Sequence, residues 1–129
     1  MKSRGFLYLL LLLAALGPFL GTLGHGYLNW DDLEYIPQNP LLHDVHGLLR
    51  IWTSLDNPQV YPMVFTSYWA EFHLWGLHPS GYHAVNLLLH ALATLLLFRL
   101  LLRMGLTTAV SFASALLFAA HPTQVASVA

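Results

Sequence analysis

The sequence predicts an all-α integral membrane protein, with three transmembrane helices and an outer loop that carries interfacial helices. Three observations predict it. Only 9% of the 129 residues are charged and 57% are hydrophobic, whereas an ordinary soluble domain carries about 25% charged residues. The charges are also clustered: after Lys2 and Arg4 none occurs until Asp31, a second gap runs from Glu71 to Arg99, and a third from Arg103 to Ala129. Each gap exceeds the roughly 20 apolar residues that a bilayer-spanning helix needs. Finally, the signs are sorted, because all six acids lie between the first two gaps with Arg50 as their one basic companion, and the other four bases flank the gaps. The positive-inside rule then puts the amino terminus and the turn near Arg99 and Arg103 in the cytoplasm, and residues 25–81 on the lumenal, periplasmic or exterior face. The same low charge, with a net value of −1, excludes a disordered or nucleic-acid-binding chain. The absence of cysteine excludes a disulfide framework, a thiolate metal site and a cysteine nucleophile.

After a short cytoplasmic terminus (1–5), the first span is expected over 6–24. Its Leu-rich run from Phe6 to Leu23 is interrupted by Gly17 and Pro18 and reaches about 27 Å at ~1.5 Å per residue, with a kink expected at the proline. A cleaved signal peptide would share the basic start and apolar run, with Thr22-Leu23-Gly24 as the cleavage site. The second span is expected over 82–103, where Arg99 and Arg103 reach back to the cytoplasmic headgroups. The third is expected over 107–121, and the short Met104–Leu106 turn makes the pair an antiparallel hairpin; residues 122–129 then return to the outer face. In the loop, Asn39-Pro40 and Asn57-Pro58 are turn signals. Tyr61, Phe65, Tyr68, Phe72 and Trp75 follow a 4-3-4-3 spacing that sets one aromatic stripe on a helix over about 63–76, with Glu71 and His73 on other faces. The stripe serves packing or membrane anchorage. A second interfacial helix is expected over about 46–55.

Four places carry polar groups suited to chemistry. Asp31, Asp32 and Glu34 put three carboxylates within four positions just after the first span. Like charges this close raise the affinity of at least one of them for a proton or a cation, although acids also suit the first turn of a solvated helix, with Asn29 or Asp31 as its cap. A divalent cation on Asp31 and Asp32 is left open by their hard oxygen ligands. Asn86, His90 and Thr94 are spaced by four on the second span, and His83 shares their side. Polar groups at that depth face a bundle interior or a cavity, or act as hydrogen bonds between helices. Of the eight histidines, only His43 and His46 have helical metal-pair spacing, and no metal site is assigned to histidine. His121 precedes Pro122, which ends or kinks the third helix there, on the same outer face as Asp31.

In order, these pieces resemble a family. Asn29-Trp30-Asp31-Asp32 with Tyr35-Ile36 follows the first span, and Tyr61-Pro62 precedes the aromatic helix. Next comes Trp75-Gly76-Leu77-His78-Pro79-Ser80-Gly81-Tyr82-His83 with Asn86 and His90, then Leu117-Phe118-Ala119 with His121-Pro122, Gln124 and Val125. The series is similar to the amino-terminal part of the transmembrane and tetratricopeptide-repeat proteins, which belong to the GT-C glycosyltransferases, and it covers nearly all of residues 27–128. The resemblance implies the start of a GT-C fold, in an enzyme that takes a sugar from a polyprenyl-phosphate carrier and passes it to an acceptor on the outer face. In animal members the sugar is mannose and the acceptor a Ser or Thr hydroxyl of a protein. The resemblance also implies Asp31 as the catalytic carboxylate with Asp32 beside it, and His83, Asn86 and His121 as substrate-binding positions. The implied partners are the lipid bilayer, a polyprenyl-phosphate-linked sugar and an acceptor protein or glycan, with no nucleic acid and no cofactor beyond the open divalent cation.

Three departures from the family pattern qualify what is carried over. Ala126 stands where the pattern after His-Pro has Glu, and Tyr61 stands where animal members have a basic residue before the Pro. The Tyr61-Pro62 variant leans the localisation towards a bacterial inner membrane rather than the endoplasmic reticulum. The chain is also short for a GT-C core and lacks the repeats, so the expectation is an amino-terminal fragment that inserts in a membrane but transfers no sugar by itself. Two rival readings are a non-catalytic membrane assembly or scaffold protein, and a transporter fragment with an intramembrane path over His90 and Asn86.

Overall fold

The computed structural model describes residues 2–27 and 31–125. It is helical, with no strand among the described residues. Six α-helices follow in order: α1 (Lys2–Leu16), α2 (Asp31–Tyr35), α3 (Val45–Thr53), α4 (Pro62–Trp75), α5 (Pro79–Arg103) and α6 (Thr108–Ala120). The chain divides into two compact units, one made of Met1–Gly24 with His83–Ala129 and the other of His25–Tyr82.

In the first unit, α1 passes into a 3-10 helix over Gly17–Gly24. The change falls at Pro18, which has no N–H for the α-helical bond to the carbonyl four residues back. The helical segments Arg4–Gly24, of 21 residues, and Pro79–Arg103, of 25, are each long and apolar enough to cross a membrane. The apolar helix α6 is shorter, with 13 residues. It follows α5 through a tight turn that Gly105 permits with φ of 87°. The N–H of Gly105 bonds to the Leu102 carbonyl, and that of Leu106 to the Leu101 carbonyl, which satisfies carbonyls left over at the helix end. The Thr107 hydroxyl then caps α6 by accepting from the Val110 N–H, as a Ser or Thr does at an N-cap. Three apolar contacts hold the unit: Leu11, Phe98 and Ala115; Ala15, Ala91 and Ala119; and Phe19 with Leu87. The alanines leave room for close approach of helix backbones, as in membrane bundles.

The His25–Tyr82 unit has its own core of Ile36, Leu41, Leu42, Ile51, Phe65 and Tyr82, walled by Tyr27, Tyr35, Tyr68, Trp69, Phe72 and Trp75. Local signals set its corners. Asn39 Oδ1 accepts from the Leu41 N–H and opens a 3-10 turn over Pro40–Leu42. Asp44 caps α3 by accepting from the Gly47 N–H at 2.7 Å. Gly47 lies so close to the Leu41 backbone carbonyl that any Cβ would overlap it. Helices α3 and α4 are tied by the Trp52 indole donating to the Thr66 hydroxyl, and the Trp69 indole donates to the Asp44 carbonyl. The aromatic stripe of α4 is mostly core: Phe65 is fully buried and Tyr68, Phe72 and Trp75 pack beside it, while Tyr61 is exposed.

Candidate functional site

The acidic segment opens α2, with Asp31, Asp32 and Glu34 in its first turn. Acids are favoured there by the unpaired N–H groups of a helix start. Asp31 and Glu34 are exposed and Asp32 is partly buried. Asn29 and Trp30, which flank the acids in the sequence motif, lie outside the described residues, as does Ala126. The Ile36 N–H bonds to the Asp32 carbonyl, and that of Gln38 to the Leu33 carbonyl, so this short helix is closed off before Asn39-Pro40. Among the described residues, no three His, Asp or Glu side chains stand together as a metal site.

The Asp32 carboxylate is felt by two phenols of the same unit. Tyr27 and Tyr68 are both pushed up to about 12, first by burial and then by the negative charges of Asp32 and Glu71. Both phenols therefore keep their protons at any physiological pH and are available as donors, not as bases. Glu71 itself is 5% exposed. Its Oε1 accepts from the Ser67 hydroxyl at 2.6 Å, and its Oε2 is buried without a hydrogen-bond partner. Burial raises its affinity for a proton, and the Ser67 bond opposes this only in part.

Sequence reasoning passed over Glu71 by setting it on another face from the aromatic stripe. At about 100° per residue it stands only about 40° from Trp75, close enough to share the buried side of α4. The signal that marks it is Ser67 four residues earlier, since a hydroxyl at that spacing can satisfy a carboxylate on the same helix face. His73, by contrast, is exposed as expected.

The polar stripe of α5 divides into two kinds of group. His90 is buried, its Nε2 is 3.1 Å from the Ala119 carbonyl of α6, and its ring meets Phe19 edge-on and lies beside Phe118. The Thr94 hydroxyl donates to the His90 carbonyl. His90 thus ties α5 to α6, whereas the Thr94 bond closes within α5. His83 is buried to 6% exposure, but neither ring nitrogen has a hydrogen-bond partner. Asn86 is partly buried.

His121 terminates α6 in extended geometry, with ψ of 132° before Pro122. Its Nδ1 accepts from the Thr123 N–H and lies 2.7 Å from the Thr123 hydroxyl, so the exposed ring caps the 3-10 turn over Pro122–Gln124. Asp31 and Asp32 thus belong to the His25–Tyr82 unit, whereas His83, Asn86 and His121 belong to the other. A shallow cleft of the latter unit, bounded by Leu96, Arg99, Leu100, Arg103 and Phe118, contains none of these five residues.

Over 99% of its length, the chain is 29% identical to a protein O-mannosyl-transferase of Caenorhabditis elegans. The chain spans about a fifth of that relative's own length. No family model matches the chain, and no solved structure matches it. The match supports a glycosyltransferase-like relationship.

Proposed function

We propose that the chain is the part of a GT-C membrane glycosyltransferase that carries its catalytic carboxylate, with a polyprenyl-phosphate-linked sugar as donor and an acceptor hydroxyl, as in protein O-mannosylation, as the other substrate. The observation that carries this reading is the likeness to a protein O-mannosyl-transferase along nearly the whole chain, which includes the carboxylate pair directly after an apolar helix. In this reading Asp31 is the base. It takes the proton of the acceptor hydroxyl as that oxygen attacks the anomeric carbon, and the bond from that carbon to the lipid phosphate breaks with its electron pair leaving on the phosphate. An exposed carboxylate suits this task, because it is open to the acceptor hydroxyl and can pass the proton on to solvent. General-base help of this kind is worth about 10²–10⁴ in rate.

The departing phosphate needs hydrogen-bond donors. His83, neither of whose ring nitrogens has a partner, can offer its N–H, with Asn86 one turn along the same helix and His121 as a further donor. In the same reading α6 crosses as a third span, and Val125 lies on the same side of the membrane as Asp31. In the same reading the Tyr61-Pro62 variant favours a bacterial inner membrane as host.

The test is transfer of labelled sugar from polyprenyl-phosphate mannose to a threonine peptide by membranes that contain the full-length protein. Asp31→Asn is expected to lower turnover by at least about 100-fold while leaving the protein level unchanged. Retained turnover would favour the second reading, a membrane assembly protein. The His90 to Ala119 bond supports that reading by giving part of the polar stripe a purely architectural use.

A further inference from the structure

The α4 helix holds a donor and an acceptor that the mechanism above leaves idle. Glu71 Oε2 and Trp75 Nε1 are both buried and both without a hydrogen-bond partner. They are four residues apart, hence neighbours on one side of the helix. Leaving a buried polar atom unpaired costs about 1–3 kcal/mol, more for a charged group, and native structures pair nearly all of them. The arrangement around the pair is also specific. The Ser67 hydroxyl occupies Oε1 and so fixes the carboxyl with Oε2 free. The Trp75 indole lies directly on Gly81, where any Cβ would overlap its ring, and Trp75 and Gly81 both belong to the motif that sequence analysis singled out. The phenols Tyr27 and Tyr68 stand within electrostatic reach of Glu71, so the surroundings combine aromatic surface with hydrogen-bonding groups.

We propose that Glu71 and Trp75 form a subsite for an alcohol hydroxyl, which accepts from the Trp75 indole N–H and donates to Glu71 Oε2. A hydroxyl is donor and acceptor at once, so one such group bridging the two atoms would answer both. A cation would leave the indole unpaired, and an anion would be repelled by the carboxylate. Polyol ligands and hydroxyl-bearing side chains both fit this chemistry, so the occupant is either a hydroxyl of the transferred sugar or the acceptor hydroxyl. The choice of these two sources rests on the glycosyl-transfer reading; the subsite itself rests on the unpaired atoms.

The sequence contains two glutamates, Glu34 and Glu71, so ¹³C-carboxyl labelling of Glu in the whole chain, held in lipid nanodiscs, yields two signals that Glu34→Gln assigns. Indole ¹⁵N labelling reports Trp75, assigned by Trp75→Phe. Addition of polyprenyl-phosphate mannose, or of a threonine peptide, is expected to move the Glu71 carboxyl and the Trp75 indole signals together and leave Glu34 in place. The probe that does so identifies the source of the hydroxyl. Sugar-free polyprenyl phosphate is expected to move neither. Glu71→Gln keeps the shape and one hydrogen-bonding oxygen and should retain binding, whereas Glu71→Leu and Trp75→Phe should each weaken it about tenfold, the loss of about one hydrogen bond. Silence of both signals with the mannose donor and the peptide, or an equal response to the sugar-free lipid, would overturn the subsite. That failure is separable from failure of the glycosyl-transfer reading, which is judged by turnover of Asp31→Asn in the full-length protein.

Discussion

At the scale of single residues, charge burial separates the two carboxyl groups that matter most. Asp31 is exposed and Glu71 is buried, and the cost of a buried charge falls on Glu71 alone. Its affinity for a proton is raised in the folded chain by burial, so folding retains a proton between the ordinary glutamate value and the raised one. Stability from this group is therefore full at pH below the ordinary value and declines as pH rises through that window. Glu71→Gln has no proton to lose. In thermal unfolding of detergent-solubilised chain, the variant is expected to match the wild type in acid and to exceed it at neutral pH, with the difference growing across the window. A variant that is less stable at neutral pH would mean that the charged carboxylate is a net gain to the fold. Sequence made Asp31 and Asp32 visible because like charges at adjacent positions in so uncharged a chain stand out. It left Glu71 unseen because a polar residue amid aromatics reads as solvent-facing, and only packing reveals that a helix face can bury one carboxyl beside its apolar side chains. His90 and His83 were indistinguishable as letters in one stripe. The Ala119 carbonyl, 29 residues away along the chain, makes one a strut and leaves the other unpaired.

At the scale of elements, close approach of backbone decides where the His25–Tyr82 unit tolerates change. Gly47 faces the Leu41 main-chain carbonyl, whereas Gly81 faces the Trp75 side chain. A main-chain carbonyl moves only with its whole turn, and that turn is pinned by Asn39 and by the Asp44 cap. An indole can shift at the expense of its own packing. Gly47→Ala is thus expected to cost more than Gly81→Ala, with the latter near the about 1–3 kcal/mol typical of overpacking. Denaturant midpoints of the two variants, measured side by side, check the order. Gly81→Ala should also displace the Trp75 indole signal and Gly47→Ala should not, because only Gly81 touches that ring. The turns at Asn39-Pro40 and Gly105 were legible, since Asn, Pro and Gly act through local dihedral and capping chemistry. The passage of α1 into a 3-10 helix at Gly17 was legible as a kink and not as a change of helix type, because the missing proline N–H states where the α-helical ladder breaks but not which hydrogen bonds replace it. The aromatic spacing of α4 predicts a single stripe from Tyr61 to Trp75, whereas Tyr61 stands before the helix as its N-cap residue. That Phe65 is buried in the core, with Tyr68, Phe72 and Trp75 walling it and Tyr61 exposed, depends on what α3 and the Pro40–Leu42 turn bring against it.

At the scale of the whole molecule, the decisive quantity is the length of α6. Two helices exceed what a bilayer requires, but 13 residues rise only about 20 Å against a hydrocarbon core of about 30 Å. The glycosyl-transfer reading nevertheless places His121 on the side of Asp31. The uncharged stretch from Arg103 to Ala129 leaves this feasible, since a short helix is accommodated by local thinning of the bilayer at a fraction of a kcal/mol per Å. The chain lacks cysteine, so single cysteines report sidedness without background. Val60→Cys, Met104→Cys and Val125→Cys replace side chains that are 70%, 66% and 52% exposed. In sealed vesicles, a membrane-impermeant maleimide is expected to label positions 60 and 125 from one side and position 104 from the other. Labelling of 104 and 125 from the same side would make α6 a helix that enters and returns. His121 would then stand a membrane thickness from the carboxylate pair and be unable to reach the departing phosphate, and the donor site would have to be built from His83 and Asn86 alone.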